Sequence, residues 1–164
     1  MSIYKATVKF AWHVHHNVLL EPLIEPLKNR IAYIKDNKPK DEIATRLRLL
    51  KPVKGELPTA VVAEWKAYHK AWKAYRKARK SYDAAAKALI EPWTFIEAQK
   101  SFRKAYRKAW KAYDASQKSY DEVLTIHEPE ILALHAIECP DCPWDNEQKT
   151  IFPEVEHAVN PKTH

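Results

Sequence analysis

The segment HAIECPDCPW at residues 135–144 combines three side chains that bind transition metals. His135 and Cys139 are four residues apart, so on a helix they lie on the same face. Pro140 then turns the chain, and Cys142 follows two residues later. One imidazole and two thiolates at this spacing can surround a metal ion at bond lengths of about 2.0–2.3 Å. We therefore expect a zinc site here, and a tetrahedral zinc needs one further ligand.

The densest source of that ligand is the segment WHVHH at residues 12–16. Polarity alternates from Tyr4 to Val14, which predicts a strand on which His13 and His15 project from the same face. A site built from both segments would tie the start of the chain to its end. Four protein ligands would make the zinc structural, whereas three ligands and a water could make it catalytic. The predicted metal ligands are His13, His15, His135, Cys139 and Cys142, with His16 and His157 as alternatives.

Two other interpretations of these residues stay open. The histidines could be ordinary side chains, and the C-x-x-C segment could be a tight proline turn without a metal. Alternatively, the histidine cluster beside Glu21 and Glu25 could assemble a metal-activated water with a carboxylate base, as in a metal-dependent hydrolase. The sequence contains no H-E-x-x-H motif and no serine elbow, and its single glycine, Gly55, excludes glycine-rich phosphate loops. We therefore expect no enzymatic activity and a zinc that is structural.

Apolar spacing and proline positions predict a mainly α protein in which a small head carries a long helical hairpin. The head would contain one or two N-terminal strands and short helices within residues 21–39 and 40–52. We expect residues 1–58 to form the N-terminal half of the head, 59–126 the basic hairpin, and 127–164 the C-terminal half. The hairpin would then project from the head as an insertion.

The hairpin prediction depends on two matching blocks of heptads, EWKAYHKAWKAYRKARKSYDA at 64–84 and SFRKAYRKAWKAYDASQKSYD at 101–121. The first helix would begin at an N-cap near Thr59 and run to Glu91-Pro92. The second would begin at the capping box TFIE and continue to about Ile126, before Pro129. A seven-residue period implies a left-handed coiled coil.

A helical wheel of these blocks places alanine, tyrosine and tryptophan columns on one face. We expect the helices to approach each other along alanine columns, with the aromatic rings flanking this seam. The columns are Ala67/Ala74/Ser81 and Ala71/Ala78/Ala85 on the first helix, and Ala105/Ala112 with Ala109 on the second. Rings in this position would be covered, which favours a structural role over stacking with nucleic-acid bases. The lysines of the opposite face would be free to contact a partner or phosphate groups. They are Lys66, Lys70, Lys73, Lys77, Lys80, Lys100, Lys104, Lys108 and Lys111.

Charge is strongly segregated along the chain, although the net charge is only +7. Residues 59–120 carry 15 Lys/Arg and 5 Asp/Glu, whereas residues 121–164 carry 2 and 10. Such asymmetry suggests a polyanionic or acidic partner for the middle segment, or a lysine face that serves only solubility. No apolar run is long enough to span a membrane, and the start lacks signal-peptide character, so we expect a cytoplasmic protein.

The sequence resembles a group of small bacteriophage and metagenomic proteins, in which WHVHH and CPDCPW blocks flank tyrosine-alanine-lysine heptads. The resemblance covers nearly the whole chain and implies a hairpin of adjustable length on a fixed head, in the cytoplasm of a bacterial host. It also implies an accessory protein that binds a macromolecular partner such as a host defence or regulatory protein. The alternatives are sequence-independent nucleic-acid binding and self-association through the hairpin.

Overall fold

The computed structural model describes residues 9–87 and 92–153, with only the backbone described at residues 92–99. Over these residues the fold is mainly helical, with five helices and a small antiparallel sheet of three strands. The chain divides into two compact units, one of residues 1–56 and 132–164, the other of residues 57–131. No helix in the described part of the chain has the length and apolar composition needed to cross a membrane.

The sheet of the first unit is formed by β1 (Phe10–Trp12), β2 (Leu20–Pro22) and β3 (Lys51–Pro52), in the order β2-β1-β3. Strand β1 is central and wholly buried, and both neighbours pair with it antiparallel. The edge strands are very short and both end in proline, which cannot extend a hydrogen-bonded ladder. The predicted N-terminal strand is therefore present in its residues 10–12, while residues 1–8 lie outside the described part.

The prediction that His13 and His15 share a strand face is wrong. Strand β1 ends at Trp12, and His13 adopts a left-handed backbone conformation with φ 53°. A left-handed residue turns the chain out of the extended path, so the alternation of faces stops there. His13 is buried as a result, whereas His15 is partly exposed to solvent.

Two short helices, α1 (Leu27–Asn37) and α2 (Lys40–Leu49), lie between β2 and β3 in the chain, as the apolar spacing predicts. Each is preceded directly by a proline, whose fixed φ suits the entry to a helix. Ile34 from α1 packs with Ala11 of the central strand and Leu50 after α2, and Leu27, Ile31, Ile43 and Leu47 pack around them. This cluster is one part of the core of the first unit, which also buries Trp12, Leu49 and Ile151.

The second unit is a hairpin of two long helices, α3 (Thr59–Lys87) and α4 (Pro92–Ile126), which pack against each other. This structure confirms the predicted hairpin. Helix α3 begins at Thr59 and α4 ends at Ile126, as the sequence indicates. Helix α5 (Glu128–Glu138) begins after His127 and carries Pro129 in its first turn. A capping box is predicted at residues 94–97, where the structure describes only the backbone. Helix α4 begins two residues earlier, at Pro92.

Tyrosines, rather than alanines, form the seam of the hairpin. Tyr68 packs between Tyr113 and Tyr120, with ring centroids 5.5 and 5.8 Å away, and Tyr75 packs between Tyr106 and Tyr113 at 5.6 and 5.2 Å. Tyr82 completes this tyrosine ladder by stacking on Tyr106 at 5.5 Å. Rings from the two helices thus alternate along the seam.

The predicted alanine seam is accordingly wrong in its detail. Ala67, Ala74, Ala105 and Ala112 are exposed, while the second alanine column, Ala71/Ala78/Ala85, is only half-buried beside the ladder. A tyrosine ring buries far more apolar area than a methyl group, so a face that contains both is most stable with the rings inward. The rings are therefore packed against each other and are half-buried.

Candidate metal centre and cationic faces

Three potential metal ligands reach one point in the first unit from separate elements. His13 directly follows β1, His135 lies in α5, and Cys142 lies in the turn after that helix. The backbone N–H of His13 donates to the carbonyl of Leu19 at 3.1 Å, which holds the turn after the strand. The N–H of Cys142 donates to the carbonyl of Cys139 at 3.0 Å, so the C-x-x-C segment closes a tight turn.

The ligand atoms of His13, His135 and Cys142 all lie within 4.8 Å of one another, so this group could hold a metal ion. The Nε2 atoms of the two histidines are 2.9 Å apart, and Cys142 Sγ is 3.2 Å from His13 Nε2. Zinc–nitrogen and zinc–sulfur bonds at a tetrahedral angle would separate these atoms by about 3.3 and about 3.6 Å. The observed distances are about 0.4 Å shorter, so small side-chain rotations would admit an ion.

Two tryptophans form walls of the site. The Trp12 ring, which has no exposed surface, meets His135 edge-on with centroids 5.2 Å apart. The Trp144 ring lies 5.4 Å from that of His13. His13 and His135 are only 2% and 5% exposed, so the site is largely closed to solvent. Nδ1 of His13 is buried, and it has no hydrogen-bond partner among the described residues.

Burial keeps the ligand side chains in their neutral forms. It lowers the pKa of His13 to about 4, with a further contribution from His135, and it also lowers the pKa of His135, where Lys51 adds to the effect. Burial raises the pKa of the Cys142 thiol. Neutral imidazoles are ready to coordinate, whereas a thiol must lose its proton to the solution when a metal binds.

Glu138 anchors the helix that carries His135. Its carboxylate accepts hydrogen bonds from the Trp12 indole at 2.8 Å and from the backbone N–H groups of Lys54 and Gly55 at 3.0 and 2.5 Å. Burial alone would raise the pKa of Glu138, but these hydrogen bonds outweigh it and lower the pKa. One carboxylate therefore links α5 to the central strand and to the segment after β3.

Gly55 lies close against the side chains of α5. A Cβ atom at residue 55 would lie 2.5 Å from Leu134 Cδ1 and 3.2 Å from Glu138 Oε1. Sequence reasoning named Gly55 only as evidence against phosphate loops, and it missed Glu138 and both tryptophans. The position of Glu138 could have indicated its role, because it lies one helical turn after His135 and beside Cys139.

The other predicted ligands are not part of this group. His15 Nδ1 pairs instead with Glu21 Oε2 at 2.9 Å. The His16 ring lies 6.2 Å from the Phe152 ring, and its carbonyl accepts the N–H of Ile151. Cys139 is buried on the same turn as Cys142, and its N–H donates to the carbonyl of His135 at 2.7 Å. His157 lies outside the described residues.

The predicted cationic side chains lie on the outer surface of the hairpin. On α3 the five predicted lysines are exposed. On α4, Lys100, Lys104, Lys108 and Lys111 are also exposed, and together with Arg103 and Arg107 they line an open groove of about 610 Å³. The two arginines were not in the predicted set, although their spacing continues the lysine columns.

Comparison with protein-family models, with curated proteins and with solved structures finds no match to this chain.

Proposed function

We propose that the chain is a zinc-stabilised interaction protein without catalytic activity, whose basic helical hairpin binds a macromolecular partner. The observation that carries the zinc proposal is the convergence of His13 with His135 and Cys142, which lie 122 and 129 residues further along the sequence. Imidazole nitrogen and thiolate sulfur in a compact group are the ligands that zinc prefers. A zinc ion here would join the two sequence segments of the first unit.

Burial of the ligands supports a structural zinc over a catalytic one. A catalytic zinc keeps one coordination position open to water and substrate, whereas a structural zinc takes four protein ligands. The two histidines are almost fully buried behind Trp12 and Trp144. Cys139 is buried on the same turn but lies outside the group of three, so its side chain would have to turn toward the site to complete a two-cysteine, two-histidine set.

A metal ion would hold together the two sequence segments from which the first unit is built. Buried side chains come from both segments, with Trp12 and Leu49 from the first and His135 and Ile151 from the second. A cross-link between segments so far apart in the sequence stabilises the folded state by restricting the unfolded chain. Both cysteines are free thiols in this structure, so a disulfide does not fill this role.

The hairpin is the element that we assign to partner binding. Its apolar face is used within the tyrosine ladder, and its outer faces carry exposed cations. The resemblance to bacteriophage and metagenomic proteins fits an accessory protein that acts on a macromolecule of its host.

Metal content tests the zinc proposal directly. Protein purified without a chelator should contain about one zinc per chain by inductively coupled plasma mass spectrometry. Cys142→Ala should lose this zinc, and His15→Ala is the matched control because His15 lies two residues from His13 but pairs with Glu21 on the surface. A wild-type protein without metal, or zinc that is retained in Cys142→Ala, would show that the proposed site does not bind zinc.

A further inference from the structure

One face of α4 carries six cations with no acidic residue among them. Between Glu97 and Asp114 the sequence contains no aspartate or glutamate. The six side chains line one open groove, and we call them the α4 cationic face: Lys100, Arg103, Lys104, Arg107, Lys108 and Lys111. Among the described residues, no carboxylate forms an ion pair with Lys104, Arg107, Lys108 or Lys111.

The geometry of this face follows from its spacing on the helix. At 100° per residue the six positions fall within an arc of about 140°, centred opposite the tyrosine ladder. From Lys100 to Lys111 the face extends about 16 Å along the axis. A duplex of that length carries about ten phosphates, because B-DNA has one charge per roughly 1.7 Å. The face therefore offers six cations to a stretch of duplex that carries about ten phosphates.

A protein partner fits this face less well than a phosphate backbone. Protein interfaces are depleted of charge at their centre and place aromatic anchors there. Here the centre is entirely cationic, and the exposed aromatic rings of α4, Trp110 and Phe102, lie outside it, with Trp110 at the edge beside Arg103. A lipid surface fits less well too, because a helix on a membrane must insert an apolar face, and that of α4 is occupied by contacts with α3.

We propose that the α4 cationic face binds the phosphate backbone of double-stranded DNA without regard to base sequence. This inference rests on the proposed role of the hairpin as the binding element, and it is independent of zinc. Lysine and arginine contacts to phosphates release counterions, so the affinity falls with a slope of about −0.9 per contact in a plot of log K against log salt. Six contacts give a slope of about −5, and the affinity should fall about 10³-fold between 50 and 200 mM salt.

The test uses the full-length protein and a fluorescent 30-base-pair duplex of mixed sequence, with Kd measured by anisotropy at several salt concentrations. The variant is Lys104→Gln, Lys108→Gln, Lys111→Gln. The matched control, Lys28→Gln, Lys35→Gln, Lys40→Gln, removes the same charge from exposed positions at α1 and α2. Circular dichroism and zinc content are measured for each protein, so a folding or metal defect is separated from a binding defect.

The expected result is a slope near −5 for the wild type and the control, and near −3 for the α4 variant, because three of six contacts are lost. A second duplex of unrelated sequence should give the same values. The proposal is overturned by any of three results: no binding at 50 mM salt, equal slopes for the α4 variant and the control, or equal affinity for poly-glutamate. Normal zinc content together with one of these results would leave the zinc proposal standing and remove only this one.

Discussion

The tyrosine ladder predicts that the hairpin can be shortened by removing one whole heptad from each helix. Tyr68 pairs with Tyr113, and Tyr75 pairs with Tyr106, each with 3.4 Å between hydroxyl oxygens. Moving seven residues forward along α3 therefore corresponds to moving seven residues backward along α4. Residues 69–75 and 107–113 both end in KAWKAY. Deletion of both segments should let Tyr68 take Tyr106 as its new partner.

The cost of this paired deletion can be worked from the structure. Each helix becomes about 10.5 Å shorter, because seven residues rise about 1.5 Å each. The residues beyond the deletion rotate by only about 20°, so the remaining rings stay on the seam. Tyr75 and Tyr113 are lost, and Tyr68 gains Tyr106, which leaves the ladder shorter by two stacked pairs. At about 0.5–1.5 kcal/mol per pair, the free energy of unfolding should fall by about 1–3 kcal/mol beyond the loss of buried area.

A five-residue deletion from each helix, residues 71–75 and 107–111, is the matched control. It removes fewer residues but rotates the segments beyond it by about 140°, so Tyr82 and Tyr106 would face away from each other. Hydrogen exchange followed by mass spectrometry should show protected amides in 76–87 and 100–106 after the seven-residue deletions and rapid exchange there after the five-residue deletions. Equal protection in both variants would refute the idea that the ladder sets the register of the hairpin.

Three further predictions concern the first unit, the ladder and the metal. Gly55→Ala should lower the free energy of unfolding by about 1 kcal/mol in chemical denaturation, because its Cβ would lie 2.5 Å from Leu134 Cδ1 and that side chain must move, while Lys54→Ala should have a much smaller effect. Burial and the hydrogen bond with Tyr113 raise the pKa of Tyr68 to about 12, so folding favours the neutral phenol. Its contribution to stability is complete below pH 10 and is lost as the pH rises through about 12, and Tyr68→Phe should move the alkaline unfolding midpoint, followed by circular dichroism, to higher pH. An unchanged midpoint would contradict this. Chelation of the metal should lower Tm by about 8–16 °C in a thermal melt, since a ligand at about a thousand times its Kd contributes about 4 kcal/mol, and an unchanged Tm would argue against a structural ion.

The helices were predictable because their signals are long and repeated. Two blocks of heptads fixed the hairpin, and prolines marked the ends of the shorter helices. The seam within the hairpin was harder to predict, because alanine and tyrosine columns lie side by side on one broad face. A helical wheel gives the direction in which each column of side chains points. It does not show which column gains the most free energy from burial. The size of the tyrosine rings decided this, and the alanines Ala67 and Ala74 stayed exposed.

The sheet was only partly predictable because its edge strands are too short to show a period. Strands β2 and β3 contain three and two residues, and each includes a proline that argues against a strand in sequence-based reasoning. Both form because the buried strand β1 must satisfy its backbone hydrogen bonds on either side. The turn at His13 was also not predictable. The alternating pattern of the sequence continues to Val14, past the point where the chain leaves the sheet at Trp12.

The candidate site shows why residue types were easier to predict than their arrangement. Cysteine and histidine near both ends of the chain indicated a metal, and the structure brings His13, His135 and Cys142 together. The choice among His13, His15 and His16 depended on a single backbone conformation, the left-handed φ of His13. That conformation turns His13 into the interior and leaves its neighbour His15 to pair with Glu21 at the surface.

The strain of that backbone conformation favours a functional role for His13. A left-handed conformation costs a residue other than glycine about 1 kcal/mol or more, and burial of an imidazole with an unsatisfied Nδ1 adds to the cost. Glycine or asparagine at this position would relieve the backbone, so the conformation alone does not call for histidine. A metal bond through Nε2 would compensate for both costs, because it exists only in the folded state. The strained, buried histidine is thus explained by zinc binding more simply than by packing, and His13→Asn should relieve the strain while abolishing the metal.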